Sequence, residues 1–243
     1  MEVYSHRGIG LGPENTHSAL KAAVAMGLHL EVDVNATRDA VSILLHDSTL
    51  ERTTDGKGAI HKKLYREIQH LSAGTAYEQP HDEQEIPLAE DALIRYGPHA
   101  KINLDLKKAQ TGIQMLKRVT AHNLLDTVLF TSTNIQTVKA IKEMEPAATV
   151  GAITERYSRK FVAKLAKLGI EYIAPWVGIT SADLVKQCDD HGIRVLPWFN
   201  GSQLLWTPEM DETIERMASY NVSGIIVNHP HEVLEKVKTK QVV

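Results

Sequence analysis

Leu28-His29-Leu30-Glu31-Val32-Asp33-Val34 is the run whose reading decides the fold. It is a short apolar stretch with carboxylates at alternate positions, the pattern of a strand and not of a helix. A helical pattern, Thr16 to Met26, precedes it, and another apolar run, Glu2-Val3-Tyr4-Ser5, precedes that. The same alternation continues outward. Further strands are expected at Lys101 to Leu106, Thr127 to Thr131, Thr149 to Ile153, Glu171 to Ala174, Ile193 to Trp198 and Gly224 to Val227. Helical patterns fall between them at Thr111 to His122, Ile135 to Met144, Ser158 to Leu168, Ser181 to His191 and Pro208 to Tyr220. Eight strands with helices in most gaps predict a parallel α/β fold, and in 243 residues a closed (β/α)8 TIM barrel. An open doubly wound sheet is the alternative, because periodicity does not reveal closure.

One strand breaks the alternation. Val41 to Leu45 follows after only Arg38-Asp39-Ala40, a gap too short for a crossover helix. The two runs are therefore expected to form an antiparallel hairpin that returns His46 beside Asp33. Residues 49–87 are polar, carry Asp55-Gly56 and Gly58, and show a helical pattern only near Leu64 to Leu71. This stretch reads as an insertion after the second barrel strand and its hairpin, long enough to be functional. The chain is expected to be one domain over 1–243, with a surface loop at Gln79 to Glu85 and a frayed helix end from Lys236 to Val243.

Composition narrows the function. With 43% hydrophobic and 23% charged residues the chain is ordinary for a globular protein. A net charge of −3 provides no global field for nucleic acid or anionic lipid, so any phosphate affinity must be local. The single cysteine, Cys188, reads as a small residue packed on a helix and fits a reducing compartment. No run is long enough to span a bilayer, and none near the start resembles a leader. These features predict a cytoplasmic protein with no stable membrane insertion and no nucleic-acid partner. They leave room for a homo-oligomer.

Barrel enzymes carry their chemistry at the carboxyl ends of the strands. His6 and Arg7 end the first strand. Glu31 and Asp33 lie near the end of the second and point to one face. Asp105, with Lys107 two positions on, ends the next barrel strand. Three carboxylates from adjacent strands suit a hard divalent cation, Mg2+ or Ca2+, better than zinc. His6 and His46 are placed to act as general base and general acid. Arg7 offers a planar fork to phosphate oxygens, or else pairs with Glu14 or Asp47. Asn15 or Thr16 is expected to cap the first helix. Trp198 is expected either to pack in the core or to touch an apolar part of a ligand. Of the twelve histidines, His17, His61, His70, His81, His99, His122 and His191 read as ordinary surface or helix residues, and His229 as a capping or loop residue.

With these residues in place the chain resembles the glycerophosphodiester phosphodiesterase family. The resemblance rests on His6-Arg7-Gly8, Pro13-Glu14-Asn15-Thr16, Glu31-Val32-Asp33, His46-Asp47, Arg52-Thr53-Thr54 with Gly56 and Gly58, Asp105-Leu106-Lys107, and Trp198 with Asn200. It implies a TIM barrel with a small insertion and a metal-dependent hydrolase that releases sn-glycerol 3-phosphate and an alcohol from a small glycerophosphodiester. It further implies acid–base roles for His6 and His46, metal ligation by Glu31, Asp33 and Asp105, and substrate phosphate binding by Lys107.

Four positions depart from the family pattern. Asp105 stands where glutamate is usual, one methylene shorter. Asp39-Ala40 replaces Asp-Gly at the hairpin turn, Ser132-Thr133 replaces Ser-Phe, and Trp198-Phe199-Asn200 is one residue short. Two rival functions follow: a phospholipase D-like lipid phosphodiesterase, which the missing disulfides and interfacial helix oppose, and a silent barrel that binds a phosphorylated ligand.

Overall fold

The computed structural model describes residues 1–75, 84–199 and 207–240. Residues 79–83 of the expected surface loop, Asn200, and 241–243 of the tail lie outside them. The elements in chain order are β1 (Glu2–His6), α1 (His17–Ala25), β2 (His29–Ala36), β3 (Ser42–Leu44), α2 (Tyr65–Ile68), α3 (Ala89–Tyr96), β4 (Ile102–Leu106), α4 (Ala109–Ala121), β5 (Val128–Ser132), α5 (Ile135–Met144), β6 (Thr149–Thr154), α6 (Arg159–Lys167), β7 (Tyr172–Pro175), α7 (Ala182–Asp189), β8 (Arg194–Val195), α8 (Pro208–Ser219), β9 (Gly224–Val227) and α9 (Pro230–Lys240).

Eight of the strands run parallel in the order β8-β7-β6-β5-β4-β2-β1-β9. Closure is made by single bridges. Trp198 pairs with Trp176 on one side and with Ile226 on the other. Ile226 N–H donates to Pro197 O at 2.8 Å, and Phe199 N–H donates to Ile226 O at 3.2 Å. The sheet is thus a barrel and not an open doubly wound sheet. The strand expected over Ile193 to Trp198 is regular only at Arg194–Val195, because Pro197 has no N–H to give to a ladder.

Strand parity separates scaffold from site. Leu30, Val32 and Val34 of β2 and Ile102, Leu104 and Leu106 of β4 face the helices in the main apolar core. The residues between them, Glu31, Asp33, Asn103 and Asp105, take the other face and are buried. Pairing puts Glu31 beside Asn103 and Asp33 beside Asp105. A separate apolar cluster, Tyr4, Leu129, Tyr172, Leu196 and Ile226, fills the lumen, and Ile226 also borders the site cavity.

The hairpin forms as expected, with β3 antiparallel to β2 and Val34 opposite Leu44. Leu45 N–H donates to Asp33 O at 3.2 Å, so His46 leaves the return strand next to Asp33. The insertion after it has its own apolar cluster, including Ile43, Leu45, Leu50, Ile60, Ile68 and Ile86. Among its described residues the α-helical part is the single turn α2, shorter than the Leu64 to Leu71 pattern, and a 3-10 turn at Ile60–Lys62 precedes it. Among the described residues no helix is long and apolar enough to cross a membrane.

Candidate active site

The carboxyl ends of the strands open into a cavity of about 890 Å3 whose lining includes His6, Arg7, Glu31, His46, Asp105 and Lys107. A second cavity, about 510 Å3 between the insertion and α3, contains none of the predicted site residues.

Glu31, Asp33 and Asp105 are buried, and one oxygen from each lies within 4.8 Å of the others. Burial and the neighbouring Asp33 charge push the Glu31 carboxyl well above the usual carboxylate range. Its Oε2 is buried with no hydrogen-bond partner among the described residues. Burial would raise Asp33 as well, but the Arg7 guanidinium and the Lys107 ammonium override it and hold it ionised. Arg7 Nε lies 2.8 Å from Asp33 Oδ2 and Lys107 Nζ lies 2.7 Å from Asp33 Oδ1. Lys107 Nζ also lies 2.5 Å from Asp105 Oδ2, and the two carboxylates keep the lysine charged against its burial. Burial raises Asp105 in spite of that pair.

The charge balance is negative. Glu14, Glu31, Asp33, Asp47, Asp105 and Glu155 outnumber Arg7, Arg52, Lys107 and Arg156 in and under the cavity wall. An orphaned buried carboxylate oxygen, two further carboxylates within reach and this excess of negative charge fit a hard divalent cation.

The two histidines are held in different ways. His6 Nδ1 donates to Asn228 Oδ1 at 2.6 Å across 222 residues of sequence. Burial and the Arg7 charge push His6 down to about 4, so the ring is neutral near pH 7 and its Nε2 carries a free lone pair. The 3.8 Å approach of that nitrogen to Glu31 Oε2 is therefore not an ion pair. His46 is more open. Its Nδ1 donates to Asp47 Oδ1 at 2.6 Å. Arg52, from the insertion, holds Asp47 through Nε at 2.6 Å and pushes its carboxyl down to about 2.

Backbone conformation explains the spacing of the first motif. Arg7 and Gly8 both sit at positive φ, 57° and 71°. A Cβ on Gly8 would lie 2.5 Å from the Ala19 Cβ on α1, so only glycine fits the turn.

All eight residues singled out from the sequence face this cavity or, for Asp33, lie just beneath it. Trp198 lines the wall, and its buried Nε1 has no partner among the described residues. Arg7 does pair with Glu14, at 3.5 Å, but its closer partner is Asp33. The capping expectation for α1 is overturned. Thr16 occupies the cap position without a side-chain cap bond and donates to Pro13 O at 2.7 Å instead. Asn15, at φ 58°, turns its amide to Asp33, donating to Oδ2 at 3.0 Å and accepting from Asp33 N–H at 3.2 Å. Asn228, Arg52 and Asn103 escaped the sequence reading as site residues. Asn228 and Asn103 are single amides without local pattern, and Arg52 is one of many exposed-looking cations. Its place in the Arg52-Thr53-Thr54 motif was the one available signal.

Residues 6–232 match the model of the Glycerophosphoryl diester phosphodiesterase family. The chain is 26% identical over 244 residues to the glycerophosphodiester phosphodiesterase of Caldanaerobacter subterraneus subsp. tengcongensis, with 97% of each chain covered. It is 27% identical over 256 residues to a putative glycerophosphodiester phosphodiesterase of Bacillus subtilis, with 100% of each covered. Among solved structures it is similar to an Oleispira antarctica phosphodiesterase in complex with the product sn-glycerol-3-phosphate, with a TM-score of 0.85, 22% identity and 98% and 97% of the two chains covered.

Proposed function

Because the chain belongs to the glycerophosphoryl diester phosphodiesterase family, we propose that it hydrolyses a small glycerophosphodiester to sn-glycerol 3-phosphate and an alcohol, with His6 and His46 as its acid–base pair. The observation that carries this reading is the convergence of two imidazoles and three carboxylates on one cavity. Glu31, Asp33 and Asp105 are the residues that would hold a divalent cation, Mg2+ or Ca2+, which when bound supplies Lewis-acid stabilisation of the phosphoryl oxygens.

The rest falls to the chain's own side chains. Arg7 and Lys107 neutralise the phosphodiester and the charge that develops on it. His6, neutral through burial and with its Nε2 lone pair exposed to the cavity, takes the proton from the glycerol 2-hydroxyl, which attacks phosphorus. His46, more open to solvent and oriented by Asp47, gives a proton to the departing alcohol. Water then opens the cyclic phosphate with the roles exchanged. An analogue lacking the 2-hydroxyl separates this route from direct attack by water, since only the latter would turn it over.

The decisive assay is release of glycerol 3-phosphate from glycerophosphocholine with added Mg2+ or Ca2+. Activity should vanish with chelator and return with the ion. His6→Ala and His46→Ala should each lower kcat by about 10²-fold or more. Normal turnover in both variants would refute the assignment.

A further inference from the structure

Arg52 stands apart from Arg7 and Lys107. Arg7 and Lys107 reach the buried carboxylates from the strand ends, whereas Arg52 comes from the insertion and touches none of the three. Its guanidinium makes four contacts with two other acids. Nε and Nη2 donate to Asp47 Oδ2 and Oδ1 at 2.6 and 3.1 Å. Nη1 and Nη2 donate to Glu14 Oε2 and Oε1 at 2.7 and 2.8 Å. Both pairings are bidentate, the arrangement that fixes a carboxylate in direction as well as distance.

The mount is as rigid as the clamp. Leu50 is buried in the insertion's apolar cluster, and its N–H donates to Gly58 O at 3.1 Å. Thr54 donates to Leu50 O through N–H at 3.1 Å and through Oγ1 at 2.7 Å, and Gly56 N–H donates to that hydroxyl at 3.0 Å. Arg52 therefore projects from a braced turn. What it holds leads directly to the chemistry. Asp47 accepts the Nδ1 proton of His46 at 2.6 Å, and Glu14 lies 3.5 Å from Arg7.

We propose that Arg52 is a positioning residue for His46: the insertion supplies the cation that locks Asp47, and Asp47 in turn fixes the tautomer and direction of the His46 ring. This rests on the reading of His46 as an acid–base group. A lysine does not replace it: an ammonium can touch two carboxylates, as Lys107 does, but it has no planar fork with which to grip each of them through two bonds. Without the guanidinium, Glu14 keeps only its 3.5 Å contact with Arg7, and Asp47, held by the His46 ring alone, no longer has a fixed direction.

The test is a kinetic comparison of Arg52→Ala, Arg52→Lys, Asp47→Asn and the Arg52→Ala/Asp47→Asn double variant, with His46→Ala as reference. Misdirection of a catalytic group by about an ångström costs on the order of 10²-fold. Arg52→Ala should lose about 10- to 100-fold in kcat with KM changed less than about threefold. Arg52→Lys should fall between it and the parent. The double variant should be no slower than Asp47→Asn alone, since both changes break one linkage. Added guanidinium ion should restore part of the kcat of Arg52→Ala, which loss of a merely structural contact would not predict. Parental kcat in Arg52→Ala or Arg52→Lys, with His46→Ala inactive, overturns the proposal, as do losses that multiply in the double variant. Should Arg52→Ala fail to fold, Arg52→Lys and the Asp47→Asn background carry the same comparison. Full turnover by His46→Ala would instead overturn the acid–base reading itself.

Discussion

Glu31 is a buried acid with an oxygen that no described residue satisfies, and its chemistry predicts how the site would take up a cation. A carboxyl raised above its ordinary value keeps its proton to higher pH, and a cation binds only once that proton leaves. Binding of Mg2+ or Ca2+ should therefore release protons and tighten as pH rises through the raised value. Calorimetric titrations in buffers of different ionisation enthalpy, from about pH 5 to about pH 8, measure both effects. Binding without proton exchange would mean that Glu31 is not a ligand. Asn15 makes a second case at this scale. It satisfies the buried Asp33 N–H and one Asp33 oxygen. Asn15→Ala strands that N–H and should cost about 1–3 kcal/mol, read as a lower urea midpoint at unchanged slope.

Among the elements, the β2–β3 hairpin does the most with the least chain. It makes the one antiparallel pairing among the named strands, and it delivers His46 beside Asp33. Its turn puts Ala40 at φ 62°, a region that suits glycine. Ala40→Gly should therefore stabilise the protein by about 1 kcal/mol, measured by chemical denaturation. An unchanged or lowered midpoint would show that the turn relaxes in solution. The hairpin was legible in the sequence because a three-residue gap leaves no other connection. The barrel strands and the carboxylate face were legible for a similar reason, since a period of two sorts Glu31 and Asp33 from Leu30, Val32 and Val34. Asn228 was not, because its partner His6 is distant in sequence and no local pattern links them. Nor was the division of labour at Asn15 and Thr16, where an asparagine before a helix looks the same whether it caps the helix or braces a neighbouring strand. Pro197 was visible, but the weak ladder it leaves at β8 depends on which neighbours close the barrel.

For the molecule as a whole, Cys188 provides a probe of global stability. It is fully buried on α7, and burial pushes its thiol up to about 12. Thiolate is the reactive form, so labelling with a disulfide reagent at about pH 8 should proceed only through unfolding. The labelling rate should rise with urea in step with loss of helical signal, and rapid labelling of the native protein would contradict the packing described. The barrel also sets an order of events. Nearly all the groups assigned to chemistry lie before residue 108, whereas the amide that orients His6 belongs to Asn228, just past the last strand. A nascent chain emerging from the ribosome exposes both imidazoles and all three acids long before it can use them. Under the proposed chemistry the first histidine gains its orienting hydrogen bond only when the closing strand docks beside the opening one, so the site is completed in the step that closes the barrel and not gradually as the strands are added.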